Sequence, residues 1–246
     1  MVTATFRFFG ALNDFLPRDR RDSAFAAPCA RAATAKHMIE ALGVPHTEVG
    51  QLRVNGLPGA FERLLQEGDD LAVYPQSQAD LAGTGFVADA HLGGLARLLR
   101  MAGFDTLYDN GYRDEEIVAI ARGQARTVLT RDRELLKRRE LAHGCYLHAI
   151  RPEQQLRELS ARLRLAAAAL PFTRCLDCNR PLRPVAKAAV AERLPPAVRA
   201  QQQQFTTCDA CGRVFWKGSH YQRMLAMLGG AIGLESFPSQ RAADDT

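Results

Sequence analysis

Long hydrophobic runs are missing from this chain of 246 residues, although 47% of its residues are hydrophobic. No apolar run approaches the roughly 20 residues that a membrane-spanning helix needs. The first residues, MVTATFRFFGALNDFL, also lack the basic segment, apolar core and small-residue cleavage site of a secretion signal. We therefore expect a globular, cytoplasmic protein with no membrane partner, built from two or three small domains.

Cysteine is scarce, and four of the six cysteines fall into two Cys-x-x-Cys pairs. The pairs are Cys175 with Cys178 and Cys208 with Cys211. In a reducing compartment such pairs favour metal ligation over disulfides, and four thiolates suit tetrahedral Zn²⁺. Because four thiolates leave no open coordination position, the predicted zinc is structural rather than catalytic.

Charge of one sign is also not abundant. The chain has 32 basic and 27 acidic residues, so the net charge is +5, and the positive excess is confined to residues 81–246. This weak basic bias is compatible with a nucleic-acid partner and equally with an ordinary solvated surface.

Short apolar stretches in residues 1–78 follow the order strand, strand, helix, strand, strand. The predicted strands are residues 3–9, a stretch near Phe25, Leu52–Val54 and Leu71–Tyr74, the helix is Ala33–Leu42, and Asn55-Gly56 marks a hairpin turn. This order resembles a β-grasp fold, and Phe6 to Pro75 resembles the sulfur-carrier branch of the ubiquitin-like domains. Sulfur carriers end in a free Gly-Gly, whereas here the chain runs on beyond Pro75. We therefore expect this domain to be a docking domain rather than a thiocarboxylate carrier.

A polar, glycine-bearing linker over residues 76–85 is predicted to separate this domain from the next. Strands and helices then alternate through residues 84–168, which favours a parallel sheet covered by helices on both faces. The predicted strands are Phe86–Ala88, Thr106–Tyr108, Arg126–Thr130 and Cys145–Ile150, and the helices are Leu92–Leu99, one opened by Asp114, Glu134–Leu141 and one opened by Pro152. Residues 172–222, which hold both Cys-x-x-Cys pairs, are predicted to form a third, zinc-binding domain, and a disordered tail is expected over 236–246.

Acidic residues fall where strands of this sheet end, with Asp89 after the first strand and Asp132 after the third. Asp114 opens a helix on the same side of the sheet, and Glu134 follows Asp132 closely. Ligands of open parallel sheets bind outside the carboxyl ends of the strands. Carboxylates grouped there repel one another unless a cation lies between them, and oxygen ligands suit Mg²⁺ or Mn²⁺. The alternative is that Asp114 and Asp132 are only helix N-caps and that Glu134 is a solvated helix charge.

Three sequence blocks carry a resemblance to a known family. They are Phe86-Val87-Ala88-Asp89 with Leu92-Gly93 and Gly103-Phe104-Asp105-Thr106-Leu107-Tyr108, then Leu129-Thr130-Arg131-Asp132, then the two cysteine pairs. Together they resemble the Mut-seven C-terminal RNase family, a branch of the PIN-like nucleases. Members of this family carry a zinc ribbon behind the nuclease core, and some carry a ubiquitin-like domain in front. The resemblance implies an α/β fold, with a PIN-like parallel sheet flanked by helices, a β-grasp domain before it and a zinc ribbon after it.

The same resemblance implies a divalent-metal-dependent ribonuclease. Its acidic residues map to Asp89, Asp114, Asp132 and Glu134, which would hold Mg²⁺ or Mn²⁺ for attack of water on an RNA phosphodiester. The run Asp114-Glu115-Glu116 also allows Glu115 as the third acidic ligand. Thr130 could orient Asp132 by a hydroxyl hydrogen bond.

Arginines near the predicted site are candidates for contacts with RNA phosphates. These are Arg97, Arg100 and Arg131, although Arg97 and Arg100 are equally explained as the solvated face of the helix Leu92–Leu99. A second hypothesis is a non-catalytic adaptor that binds RNA or protein through the zinc ribbon and the β-grasp domain. The expected partners are therefore RNA and, through the β-grasp domain, a protein.

Overall fold

The computed structural model describes residues 1–76 and 85–233. The predicted linker falls mostly on residues 77–84 and the predicted tail on 236–246, and both of these segments lie outside the described residues. The chain divides into two compact units, of which unit 1 comprises residues 1–91 and 109–148 and unit 2 comprises residues 92–108 and 149–246. Among the helices of the described residues, none is both long enough and apolar enough to cross a bilayer.

The first part of unit 1 is a β-grasp domain, which confirms the prediction. Its elements are β1 (Val2–Phe8), β2 (Ala24–Cys29), α1 (Ala35–Ala41), β3 (Val49–Val54), β4 (Leu57–Pro58) and β5 (Asp70–Pro75). The sheet order is β2-β1-β5-β3-β4, with β1 and β5 parallel and the other neighbours antiparallel. The predicted hairpin turn joins β3 to β4, where Asn55 and Gly56 both have positive φ, 54° and 79°. Alternate residues of β1 (Ala4, Phe6 and Phe8) are buried in the domain core.

Residues 85–148 contain β6 (Phe86–Ala88), α2 (Gly93–Met101), β7 (Thr106–Leu107), α3 (Asp114–Gln124), β8 (Thr127–Thr130), α4 (Arg133–Leu136) and β9 (Gly144–Tyr146). Within unit 1, β6, β8 and β9 are parallel, with β8 in the middle. Every residue of β6 and β8 is buried, as expected for strands covered on both faces. Helix α3 packs against β6 and β8, and α4 packs against β8 and β9. This arrangement confirms the predicted parallel sheet flanked by helices.

Two elements of unit 1 are shorter than predicted. The helix expected over Glu134–Leu141 is the single turn α4, and the carbonyl of its last residue, Leu136, accepts a hydrogen bond from the Thr47 hydroxyl (3.1 Å). The strand expected over Cys145–Ile150 ends at Tyr146, because its neighbour β8 ends at Thr130, the residue paired with Tyr146. Both ends are therefore in contact with residues distant in the chain.

Unit 2 adds α5 (Pro152–Leu163), β10 (Arg183–Val185), α6 (Lys187–Val190), α7 (Pro196–Gln201), β11 (Phe205–Thr207), β12 (Val214–Trp216) and α8 (Ser219–Ile232). Helix α5 contacts both α2 and α8. Strands β10, β11 and β12 form an antiparallel sheet, and Trp216 packs on a small core of Val190, Leu194 and Phe205. Helix α8 was not predicted from the sequence.

Candidate functional site

Asp89 is the buried member of the predicted acidic set. It follows β6 directly, and the residue is only 8% exposed. The hydroxyl of Thr130, a fully buried residue, donates to Oδ2 of Asp89 at 2.7 Å. In residues 1–76 and 85–233, this hydroxyl is the one side-chain donor that reaches the carboxylate. Burying a carboxylate with a single neutral donor is costly unless a cation is close.

Asp132 is tied to the same threonine. Its backbone N–H donates to Oγ1 of Thr130 at 2.9 Å, so the one hydroxyl contacts both acidic residues. Oδ1 of Asp132 accepts a hydrogen bond from the backbone N–H of Glu134 (2.8 Å), which confirms that Asp132 is the N-cap of α4. Capping occupies one carboxylate oxygen and leaves the second one for a further ligand.

Asp114 lies close to the other two aspartates. It is the first residue of α3 but not its N-cap, which is Arg113. Although Asp114 is exposed, partial desolvation of its carboxyl group, followed by the negative charges of Asp132 and Asp89, raises its pKa above the ordinary value, and the charge of Arg138 only partly opposes this shift. Because like charges act in this way only at short range, carboxylates from three separate segments share one neighbourhood.

The glutamates beside these aspartates have cationic partners. Oε1 of Glu115 lies 3.9 Å from Nη1 of Arg138, and Oε1 of Glu134 accepts a hydrogen bond from Nζ of Lys137 at 2.7 Å. By contrast, no Lys, Arg or His side chain of the described residues forms an ion pair with any of the three aspartates. The difference favours Asp114 over Glu115 as the third acidic residue.

The three aspartates fit a divalent cation by their chemistry. They offer the hard oxygen ligands that Mg²⁺ and Mn²⁺ prefer, and the negative charges around Asp114 affect its pKa more strongly than the opposing charge of Arg138 does. In the described ranges, the four cysteines are the one set of three or more His, Cys, Asp or Glu side chains whose ligand atoms all lie within 4.8 Å of one another. The carboxylate oxygens of the three aspartates are more widely spread than these sulfur atoms. Asp114 and Asp132 are exposed, so rotamer changes can bring their oxygens to a shared ion.

The three arginines predicted to contact phosphates differ in their surroundings. Arg131 is exposed beside Asp132, whereas Nη1 of Arg97 lies 3.4 Å from Oδ1 of Asp177. Arg100 is buried, and its guanidinium donates to the carbonyl oxygens of Thr106 (2.9 Å), Leu176 (3.1 Å) and Asp177 (2.8 Å). These donors hold the first cysteine turn in place, and the phosphate contact of Arg100 stays a prediction.

Sequence reasoning missed the contacts that the ubiquitin-like domain makes with α4. The guanidinium of Arg133 lies over the rings of Phe15 and Tyr146, 5.1 and 5.4 Å from their centroids, and Nη1 donates to the carbonyl oxygen of Phe15 at 3.3 Å. We call this group of three residues the aromatic clamp. Its members are far apart in the chain and belong to no local motif, so no sequence signal could have found it.

The four cysteines converge as predicted, with all four Sγ atoms within 4.8 Å of one another. Both pairs make the same turn, in which the N–H of Asn179 bonds to the carbonyl of Cys175 (3.0 Å) and that of Gly212 to the carbonyl of Cys208 (2.7 Å). Burial raises the pKa of Cys208, but backbone N–H donors of its own turn outweigh this effect and lower it to about 7. Cys208 is thus prepared to act as a thiolate, and the quartet can hold a zinc ion.

These features place the chain among proteins that join a ubiquitin-like domain to an α/β domain of a nuclease family. The model of the Mut7-C RNAse domain matches residues 84–228, and that of the Mut7-C ubiquitin domain matches residues 1–80. The chain belongs to the Mut7-C family, which confirms the resemblance seen in the sequence.

The chain is also similar to two solved structures from Haloferax volcanii. The crystal structure of small archaeal modifier protein 1 is 20% identical and aligns over 30% of this chain and 98% of its own, with a TM-score of 0.25. A second crystal structure, of SAMP1, is 21% identical over 30% of this chain and 93% of its own, with a TM-score of 0.24. No curated protein matches the chain.

Proposed function

We propose that this protein is a divalent-metal-dependent ribonuclease, in which Asp89, Asp114 and Asp132 hold Mg²⁺ or Mn²⁺. The observation that carries the proposal is that the buried Asp89 carboxylate and the backbone of Asp132 share the Thr130 hydroxyl, while no Lys, Arg or His side chain of the described residues forms an ion pair with Asp89, Asp114 or Asp132. The raised pKa of Asp114, caused by desolvation and by the charges of Asp132 and Asp89, agrees with this grouping. A divalent cation bound there supplies Lewis-acid stabilisation of a phosphodiester and activates water for in-line attack.

The residues of the chain have separate tasks in this proposal. Thr130 orients the Asp89 carboxylate and the backbone of Asp132 through one hydroxyl. Exposed Arg131 contacts an RNA phosphate next to the site. Glu134 keeps a lesser role as a fourth acidic residue, since Lys137 already pairs with it. The zinc held by the cysteines is structural, and a protein partner of the β-grasp domain remains part of the proposal.

Replacing Asp114 by Asn tests the proposal against its nearest alternative, Glu115. Cleavage of single-stranded RNA by the zinc-loaded protein should appear on addition of Mg²⁺ or Mn²⁺. Asp114→Asn should lower the cleavage rate by more than roughly tenfold, whereas the matched control Glu115→Gln should leave it nearly unchanged. Equal losses in the two variants would contradict the assignment of Asp114, and a wild-type protein without cleavage would contradict the proposed function.

The same Asp114 variant should be more stable than the wild type in the absence of divalent cations. Because the folded-state pKa of Asp114 is raised, its contribution to stability is present below the unfolded-state pKa and is lost as the pH rises through the folded-state pKa. At neutral pH the ionised group is therefore unfavourable, and Asn removes it. A higher melting temperature together with lower activity distinguishes a ligand of the cation from a residue that merely stabilises the fold.

Removing the Thr130 hydroxyl should weaken the site without removing a carboxylate. Thr130→Val keeps the shape of this buried side chain but loses both hydrogen bonds, and we expect Mn²⁺ affinity to fall about 10- to 100-fold, as for other outer partners of metal ligands. Thr130→Ser keeps the hydroxyl and should retain most of the affinity. Calorimetric titration with Mn²⁺ measures both variants, and equal affinity for Thr130→Val and wild type would contradict this role.

A further inference from the structure

The aromatic clamp connects the ubiquitin-like domain to the acidic site. Phe15 belongs to the buried core of that domain and is 5% exposed, so its position is fixed by the domain fold. Its ring meets the ring of Tyr146 edge-on, with centroids 5.3 Å apart, and Arg133 lies over both. Arg133 directly follows Asp132, so holding its side chain restricts the backbone that carries the Asp132 carboxylate.

The ubiquitin-like domain also contacts the C-terminal end of the single-turn helix α4, which begins at Arg133. Oγ1 of Thr47 donates to the carbonyl of Leu136, the last residue of α4, at 3.1 Å. Thr47 is 1% exposed, and this bond satisfies a carbonyl that the short helix leaves without an intrahelical partner. A helix of four residues has little stability of its own, so its position depends on these tertiary contacts.

Tyr146 connects the aromatic clamp to the residues around Asp89 and Asp132. In the sheet, Tyr146 is the residue paired with Thr130, whose hydroxyl contacts both Asp89 and Asp132. The backbone N–H of Tyr146 donates to Oε1 of Glu48 at 2.5 Å, and Glu48 is 2% exposed. Contacts are therefore continuous from Phe15, Thr47 and Glu48 of the ubiquitin-like domain to two of the three aspartates.

We propose that the ubiquitin-like domain helps to form the nuclease site by fixing the position of Asp132. In this proposal Arg133 is a positioning residue that sets the affinity for a divalent cation by holding Asp132. The inference rests on the proposed function, because it needs the aspartates to bind a cation. Arg133 itself touches neither cation nor RNA in this proposal. It acts through the Asp132 turn.

Titration of the full-length, zinc-loaded protein with Mn²⁺, followed by the electron paramagnetic resonance of free Mn²⁺, tests the inference. Arg133→Ala should weaken Mn²⁺ binding about tenfold, because outer partners that orient a ligand typically contribute this much. Arg133→Lys keeps a cation over the two rings but loses the guanidinium geometry, so an intermediate affinity is expected. Thr47→Val should act in the same direction with a smaller effect. Arg139→Ala is the matched control, since it removes an exposed arginine six residues away and should leave the affinity unchanged.

The outcomes separate this inference from the function on which it rests. If the wild type binds no Mn²⁺, the proposed function fails and the inference fails with it. If the wild type binds Mn²⁺ and Arg133→Ala binds it equally well, only the inference is overturned, even where the melting temperature falls. A weaker Mn²⁺ affinity in Arg133→Ala and Thr47→Val at temperatures where both remain folded supports it.

Discussion

Replacing Asp89 by Asn is expected to abolish metal-dependent RNA cleavage while the protein stays folded. The loss of cleavage rate should exceed the roughly 10- to 100-fold that is typical when a residue bonded to a metal ligand is replaced, because Asp89 is proposed as a direct ligand of the cation. The fold should survive because Asn keeps an oxygen that accepts the hydrogen bond from Thr130. Cleavage of a labelled single-stranded RNA with Mn²⁺ measures the loss, and circular dichroism checks the fold.

The same variant should also lower the pKa of Asp114. The charge of Asp89 is one of the causes that raise the pKa of Asp114, so this pKa should fall in Asp89→Asn, as NMR titration of the Asp114 side chain would show.

A suitable control for the cleavage experiment is Asp109→Asn, because Oδ1 of Asp109 accepts a hydrogen bond from the N–H of Gly111 in an exposed turn. Unchanged cleavage in Asp89→Asn would point to a contaminating nuclease. RNA binding without any cleavage by the wild type would favour the adaptor hypothesis.

Removing zinc is expected to unfold the cysteine-bearing part of unit 2. Its sheet has a small core of three buried residues, Val190, Leu194 and Phe205, which is too little to stabilise it alone. Structural zinc in small domains contributes on the order of 10 kcal/mol, so its loss cannot be offset. Without the cation, four thiol groups within 4.8 Å also cannot all ionise.

Trp216 makes this prediction simple to measure. It is the one tryptophan of the sequence and lies on β12, so its fluorescence reports on this sheet. Cys175→Ser or a zinc chelator should shift the emission of Trp216 to longer wavelength and release one zinc ion per chain. Cys29→Ala, which alters a buried cysteine of the ubiquitin-like domain, should do neither. Unchanged Trp216 emission after complete zinc release would contradict a structural role for the metal.

Local patterns were enough to predict the β-grasp order, the parallel strands and the cysteine quartet. Asn55-Gly56 requires positive φ at both residues, and the buried strand Phe86–Ala88 is apolar throughout, so each signal is contained in a few residues. Asp89 was predicted as a site residue for the same reason, since it directly follows that strand. These elements are specified by neighbours in the chain.

Other features depend on partners that the sequence does not place. Arg100 has the helical spacing of a solvated residue, yet carbonyl groups of Leu176 and Asp177 make its burial favourable. The proposal of Asp114 rather than Glu115 rests on the ion pair between Arg138 and Glu115, which the sequence does not show. Sequence spacing alone cannot show which carboxylates are already neutralised by a distant cation.

The division of the chain into units has a consequence for the order of folding during synthesis. Unit 1 takes residues from both sides of segment 92–108, and that segment packs with residues after 148. A growing chain therefore holds the whole of unit 1, with all three aspartates, as soon as residue 148 has left the ribosome. Residues 92–108 can pack only later, after the residues beyond 148 have been synthesised. Because each unit consists of two separate segments, no single proteolytic cut can release either unit intact.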